Sequence, residues 1–96
     1  MIHKINNFHA VSDEGFALSA RGKDVWVYSE GDQNIYVTRE GGHFDGDWGE
    51  TVYLSDIPNQ CLTPHEQTTI PESRCKEIAE NICRSLQVLG VRFRVE

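Results

Sequence analysis

The sequence predicts an α+β fold: a mainly antiparallel sheet of about five or six strands, one helix at about 71–89 on one face, and a final strand at 91–96. Two observations carry this prediction. Short segments of alternating apolar and polar residues, separated by turn residues, fill the first half of the chain. From residue 71 onward the apolar residues instead recur with the period of a helix. With 96 residues, the chain forms one domain spanning 1–96.

The strands are predicted where β-branched and aromatic residues concentrate between turn sequences. "RGKD" and "EGDQ" are such turns, and Gly31 in the second is free to take a positive φ in a tight hairpin. The glycine-rich stretch "EGGHFDGDWGE" is predicted to be a loop, with Trp48 tucked beneath it as an anchor. The strand segments are "GFALSARG", "DVWVYSE", "QNIYVTRE" and "TVYLSD", with a weaker one around 8–11.

The helix is predicted from one apolar stripe. Pro71 suits its first turn, and Gly90 suits the position just after its end, where φ is often positive. The segment "VRFRVE" after it alternates like a strand. We therefore expect the stripe to pack against the sheet. Its members are Cys75, Ile78, Ala79, Ile82, Cys83, Leu86 and Leu89.

The two strands around "EGDQ" pose a question, because their second set of alternating residues is aromatic instead of polar. We expect the first set to face the core: Val25, Val27, Ile35 and Val37. Tyrosine, tryptophan and arginine are enriched at binding hot spots. The second set, extended to later strands, therefore predicts a partner-binding surface. Its residues are Trp26, Tyr28, Tyr36, Tyr53, Arg92 and Arg94. Cover by loops, the N-terminal segment or a second copy of the chain is the alternative.

Composition and charge narrow the classes of partner and compartment. A formal charge of −6 without a basic patch argues against nucleic acid and suits a basic protein partner. No apolar run approaches a membrane span, and the N-terminus lacks a signal-peptide pattern. Three cysteines without a CxxC pair do not suggest a disulfide framework. We therefore expect a cytoplasmic protein with reduced cysteines and no membrane contact.

Candidate chemical groups match no known template. His43, Asp45, Asp47 and Glu50 are close in sequence, but their spacing fits neither a calcium loop nor a zinc site. Cys61 and His65 resemble a nucleophile–base pair only in proximity. Phosphate-binding glycine motifs are absent from the sequence. We therefore expect no catalytic residue, no metal and no cofactor.

The C-terminal half resembles small immunity proteins of bacterial polymorphic toxin systems. The resemblance lies in a Trp- and Pro-containing loop, a helix with an Ile-x-x-Asn-Ile pattern and a final charged strand. It implies a non-enzymatic protein that binds and neutralises a cognate toxin. The matching residues are Pro58, Ile78, Asn81, Ile82, Leu86 and the strand 91–96.

The sequence therefore predicts a non-enzymatic protein-binding module that acts through the aromatic sheet face. Two alternatives stay open. One is a small-molecule-binding or enzymatic domain with a pocket near residues 41–65. The other is an accessory protein that associates with itself.

Overall fold

The computed structural model describes residues 1–44, 46–59 and 72–96. One α-helix, one 3₁₀ helix and seven strands make up this part of the chain. The strands are β1 (Ile2–Asn6), β2 (His9–Ser12), β3 (Phe16–Arg21), β4 (Val25–Glu30), β5 (Gln33–Phe44), β6 (Asp47–Val52) and β7 (Phe93–Val95). The α-helix is α1 (Glu72–Leu89), and the 3₁₀ helix is Leu54–Asn59.

The seven strands form one sheet whose spatial order is the chain order, β1 to β7. Strands β1 to β6 pair antiparallel with their neighbours in sequence, whereas β7 pairs parallel with β6. The parallel pair is possible because the long segment containing α1 carries the chain back across the sheet. The predicted α+β class, with one C-terminal helix and a final strand, is confirmed.

Helix α1 packs on one sheet face, here called the inner face, over β1, β2 and β3. Ile78, Ile82 and Leu86 are fully buried there, as the apolar stripe predicted. Gly90 has a φ of 74° and ends the helix in the left-handed region, also as predicted. Leu89 of α1 and Ile57 of the 3₁₀ helix also belong to the core. The sheet contributes its remaining residues: Ala10, Phe16, Leu18, Trp26, Tyr28, Ile35, Val37 and Val52.

The predicted division of faces in β4 and β5 is wrong. Trp26 pairs with Val37 and Tyr28 with Ile35, so these four side chains share the inner face. The reason is the length of the turn. Glu30 pairs with Gln33 across a two-residue turn, which places an even-numbered residue of β4 opposite an odd-numbered residue of β5. Val25, Val27, Tyr36 and Thr38 therefore lie on the opposite, outer face.

The predicted loop at 41–50 is also wrong, because most of it is a β-hairpin. Strand β5 continues to Phe44 and β6 begins at Asp47. Glycine at 41 allows the Trp48 ring to lie close to the backbone of β5, since a Cβ there would lie 2.6 Å from Cζ2 of Trp48. Gly41 thus marks a point where a side chain lies close to the neighbouring backbone.

The chain ends differ from the prediction in detail. The weak strand signal near 8–11 corresponds to β2, but β1 was not predicted, because its residues are largely exposed and its two isoleucines do not alternate with polar residues. Strand β7 is shorter than the predicted 91–96. The candidate pair Cys61 and His65 lies outside the described residues, as does Pro71.

Candidate binding cleft

A cleft formed by described residues lies on the inner face beside the β5–β6 hairpin. Its cavity is about 420 Å³. The turn between β3 and β4 (22–24) and the side chain of Phe8 form part of its wall. The remainder comes from both strands of the β5–β6 hairpin: Arg39, Gly41, Trp48 and Glu50.

The floor of the cleft is the Arg39–Glu50 ion pair, which packs against the buried indole of Trp26. Glu50 is 6% exposed and accepts hydrogen bonds from Nε1 of Trp26 and from Nη2 of Arg39, the latter at 2.7 Å. The Arg39 Cζ lies 4.5 Å from the centroid of the Trp26 ring. Both carboxylate oxygens are thus satisfied, as a buried charge requires. Because Trp26 is fully buried and Arg39 lines the cleft, the guanidinium separates the core from the cavity.

The rim of the cleft carries two large exposed aromatic side chains. Trp48 is 65% exposed and Phe8 is 58% exposed. The Trp48 ring nonetheless has two contacts, because it lies against Gly41 and meets His43 edge-on, with centroids 5.2 Å apart. The expected role of Trp48 as an anchor beneath a loop is therefore wrong. It is an exposed indole held in place by the hairpin.

Two residues of the predicted partner-binding surface lie in the core instead. Trp26 is 0% exposed and Tyr28 is 1% exposed, since the register turns both toward α1. The Tyr28 hydroxyl donates to Glu30 and accepts from Nδ2 of Asn81 at 3.0 Å. Burial, followed by the hydrogen bond to Glu30, raises the pKa of Tyr28. Neither ring is presented to a partner in this structure, so the single aromatic face does not exist.

The other four predicted residues lie on the outer face, and each contacts a neighbour. Tyr36 accepts a hydrogen bond from Arg21 at 2.9 Å. Tyr53 donates to Glu40 at 3.0 Å, and this bond raises the pKa of Tyr53. In β7 and just before it, the contacts are Arg94 with Thr51 and Arg92 with Asp47, both at 3.0 Å. These four side chains are therefore bonded to neighbours within the outer face, and a binding role for them stays a prediction.

The sequence reasoning missed the roles of Phe8, Arg39 and Glu50 in the cleft. Arg39 and Glu50 are eleven positions apart and meet only because β5 folds back on β6. A signal for Trp48 was present, since a tryptophan facing a pair of glycines is typical of a ring lying on a neighbouring strand. Seeing it required treating 41–50 as a hairpin.

The residues considered for metal binding are engaged elsewhere. Glu50 is in the cleft floor, Asp47 pairs with Arg92, and His43 contacts Trp48. Asp45 lies outside the described residues. Within residues 1–44, 46–59 and 72–96, no three His, Cys, Asp or Glu side chains are grouped so that they could hold a metal ion.

The described cysteines, Cys75 and Cys83, lie on α1 and are of intermediate burial. Burial raises the pKa of the Cys83 thiol, which lowers its thiolate fraction at neutral pH. Neither belongs to the cleft wall. A thiol nucleophile is therefore not part of the site formed by the described residues.

Comparison of the chain with family models, curated proteins and solved structures found no match. Among the helices of the described residues, none has the length and apolar character needed to span a membrane.

Proposed function

We propose that this protein is a non-enzymatic protein-binding module that contacts its partner through the cleft and its aromatic rim. The observation that carries the proposal is Trp48, a large exposed indole that packs against Gly41 and His43. The contact surface differs from the aromatic face predicted from sequence, because it lies on the inner face beyond α1.

Fixing an exposed aromatic side chain before binding favours association. A side chain already held in one conformation loses little entropy when a partner covers it. Tryptophan is also the residue type most enriched among binding hot spots, where it inserts into a matching surface. Phe8, on the same rim, adds apolar area beside it. These two residues are thus suited to the centre of a protein interface.

The buried ion pair fits a binding role better than a reactive one. Both Glu50 oxygens already accept hydrogen bonds, so the carboxylate has no free position for proton transfer without breaking one of them. The cleft lining contains no Ser, Thr, Cys or His side chain among the described residues. The lining thus lacks a hydroxyl, thiol or imidazole group, which supports recognition as its role.

The net charge of −6 bears on the nature of the partner. Two copies of an acidic chain repel each other, whereas a basic protein is attracted. We therefore propose that the partner is a cognate basic protein in the cytoplasm. More specifically, we propose that it is a toxin. That last step rests on the resemblance of the C-terminal half to immunity proteins.

The experiment is quantitative affinity capture from the native cell with three forms of the protein: wild type, Trp48→Ala and the control Val88→Ala. Val88 is 40% exposed on α1, away from the cleft. We expect the wild type and the control to recover the same protein, and Trp48→Ala to recover at least about tenfold less of it. Equal recovery by all three forms would contradict the proposed surface. Sedimentation of the wild type, run in parallel, identifies self-association if the mass doubles.

A second candidate function is small-molecule binding, because the cleft volume of about 420 Å³ falls within the usual range for ligand pockets. This candidate corresponds to the predicted alternative pocket near 41–65, of which Gly41, Trp48 and Glu50 are part. Native mass spectrometry of protein purified from its own cell distinguishes it. A stoichiometric mass addition that is absent from Trp48→Ala favours this function, and an unmodified mass favours the protein partner.

A further inference from the structure

We infer that the cleft receives one uncharged, planar aromatic side chain of the partner, seated against the Arg39 guanidinium. This inference rests on the proposed function and specifies which group of the partner the cleft recognises. Charge, stacking geometry and the exposed rim each support it.

The charges of the cleft are balanced before anything binds. Arg39 and Glu50 neutralise each other at 2.7 Å, and Lys23 and Asp24 bring one charge of each sign to the opposite wall. A cationic group would gain from Glu50 only by competing with Arg39, and an anionic group would be repelled by Glu50 and Asp24. An uncharged group enters without disturbing either pair.

The guanidinium favours a planar ring over an aliphatic chain. Arg39 already lies over the Trp26 ring at 4.5 Å on its core side. Guanidinium groups stack on aromatic faces, and Arg39 lines the cleft with 16% of its side-chain surface still exposed. A second ring on the cleft side would place Arg39 between two aromatic groups. Trp48 adds an indole surface for offset or edge contact with the same ring.

The exposed rim identifies a protein as the source of the ring. Phe8 and Trp48 are 58% and 65% exposed, so a free small molecule within the cavity would leave much of both side chains in water. A ring attached to a polypeptide brings flanking chain that covers them. The expected occupant is therefore a tryptophan, tyrosine or phenylalanine of the partner.

The test uses blocked amino acids as probes with the full chain labelled with ¹⁵N. N-acetyltryptophanamide, N-acetylleucinamide and N-acetylargininamide are titrated separately while the indole N–H and backbone signals are followed by NMR. We expect saturable shifts at Gly41 and Trp48 with the aromatic probe, with a dissociation constant in the millimolar range expected of a single side chain. The leucine and arginine probes should bind at least about tenfold more weakly. Trp48→Ala should weaken the aromatic probe by about tenfold, and Val88→Ala should not.

The outcomes separate this inference from the proposed function. Equal affinity for the leucine probe, or tighter binding of the arginine probe, overturns the aromatic preference. Absence of shifts up to the solubility limit overturns it as well, and a partner captured by wild type but lost in Trp48→Ala would then leave the protein-binding role standing. If the aromatic probe binds but Trp48→Ala captures the partner as well as wild type does, both the protein source of the ring and the proposed surface are overturned.

Discussion

The two tryptophans of this chain lie on the same face of one sheet and have opposite environments. Trp26 in β4 is fully buried, and its indole N–H is bonded to Glu50. Trp48 in β6 is 65% exposed and rests on the backbone of Gly41. Trp26 belongs to the core cluster that includes the buried residues of α1, whereas Trp48 lies near the end of the β5–β6 hairpin and outside that cluster.

Between the two rings lies the Arg39–Glu50 pair, which marks the boundary of the core. On one side Arg39 covers the buried indole, and on the other it lines an open cleft. A charged pair suits this boundary, because a paired charge tolerates partial burial while its remaining polar surface stays in contact with water. Aromatic character alone therefore does not decide which of the two rings faces solvent.

Replacing each tryptophan by alanine should have very different effects on the free energy of unfolding. Trp26→Ala should lower the free energy of unfolding by about 3–5 kcal/mol, because it opens a large cavity and removes a partner from Glu50. Trp48→Ala should lower it by less than about 1 kcal/mol, because its ring is mostly in water. Denaturant unfolding of both variants measures this. Similar losses in the two variants would mean that Trp48 belongs to the core.

The next effect tests the helix-covered region. Ile82→Ala should cost about 2–5 kcal/mol of unfolding free energy, since Ile82 is fully buried between α1 and the sheet. Val88→Ala on the exposed side of α1 is the control and should change stability by about 0.5 kcal/mol or less. A loss below half a kcal/mol for Ile82→Ala, in the same denaturant melts, would place the apolar stripe in water.

A smaller effect is expected at the boundary. Glu50→Gln keeps the shape of the side chain but leaves Arg39 without its counter-charge and turns an amide donor toward another donor. We expect a loss of about 1–3 kcal/mol in unfolding free energy. Glu77→Gln is the matched control, because Glu77 pairs with Arg74 at 62% side-chain exposure and should contribute about 0.5 kcal/mol or less. Equal losses would indicate that Glu50 is solvated and the cleft floor is not closed.

Gly41→Ala should have the smallest effect on stability but should clearly move the Trp48 ring. Gly41→Ala places a methyl group where Trp48 Cζ2 now lies, so the exposed ring must move. Stability should change by less than about 1 kcal/mol, because the ring moves into solvent. Gly42→Ala, with no atom within 4 Å of the added Cβ, is the control. The NMR contact between Trp48 and His43 should disappear only in Gly41→Ala, and its persistence would contradict the close approach.

The helix and the fold class were predictable because a 3.6-residue stripe over eighteen residues has few alternative interpretations. The strand positions were also largely predictable. Strand β1 was not, because it is exposed on a polar sheet edge and shows little alternation. The order of strands then follows the chain, as short turns favour.

The division of faces was missed although the sequence contained the necessary signal. A hairpin closed by two residues at Gly31 and Asp32 brings Trp26 and Tyr28 to the side of Ile35 and Val37, and all four side chains are compatible with burial. The cleft itself was less accessible to prediction. It depends on the register between Arg39 and Glu50 and on a turn sequence rich enough in glycine to resemble a loop.

The parallel pairing of β7 with β6 has a consequence for the order in which the protein folds. The five antiparallel pairings join strands that follow one another directly, so each closes a short loop. The β6–β7 pairing instead joins residue 50 to residue 93 and must await the return of the chain through α1. We expect this contact to form late and to open early in hydrogen exchange. The backbone N–H of Glu50 donates to the Arg92 carbonyl. Its protection from hydrogen exchange would then indicate when the last strand has paired.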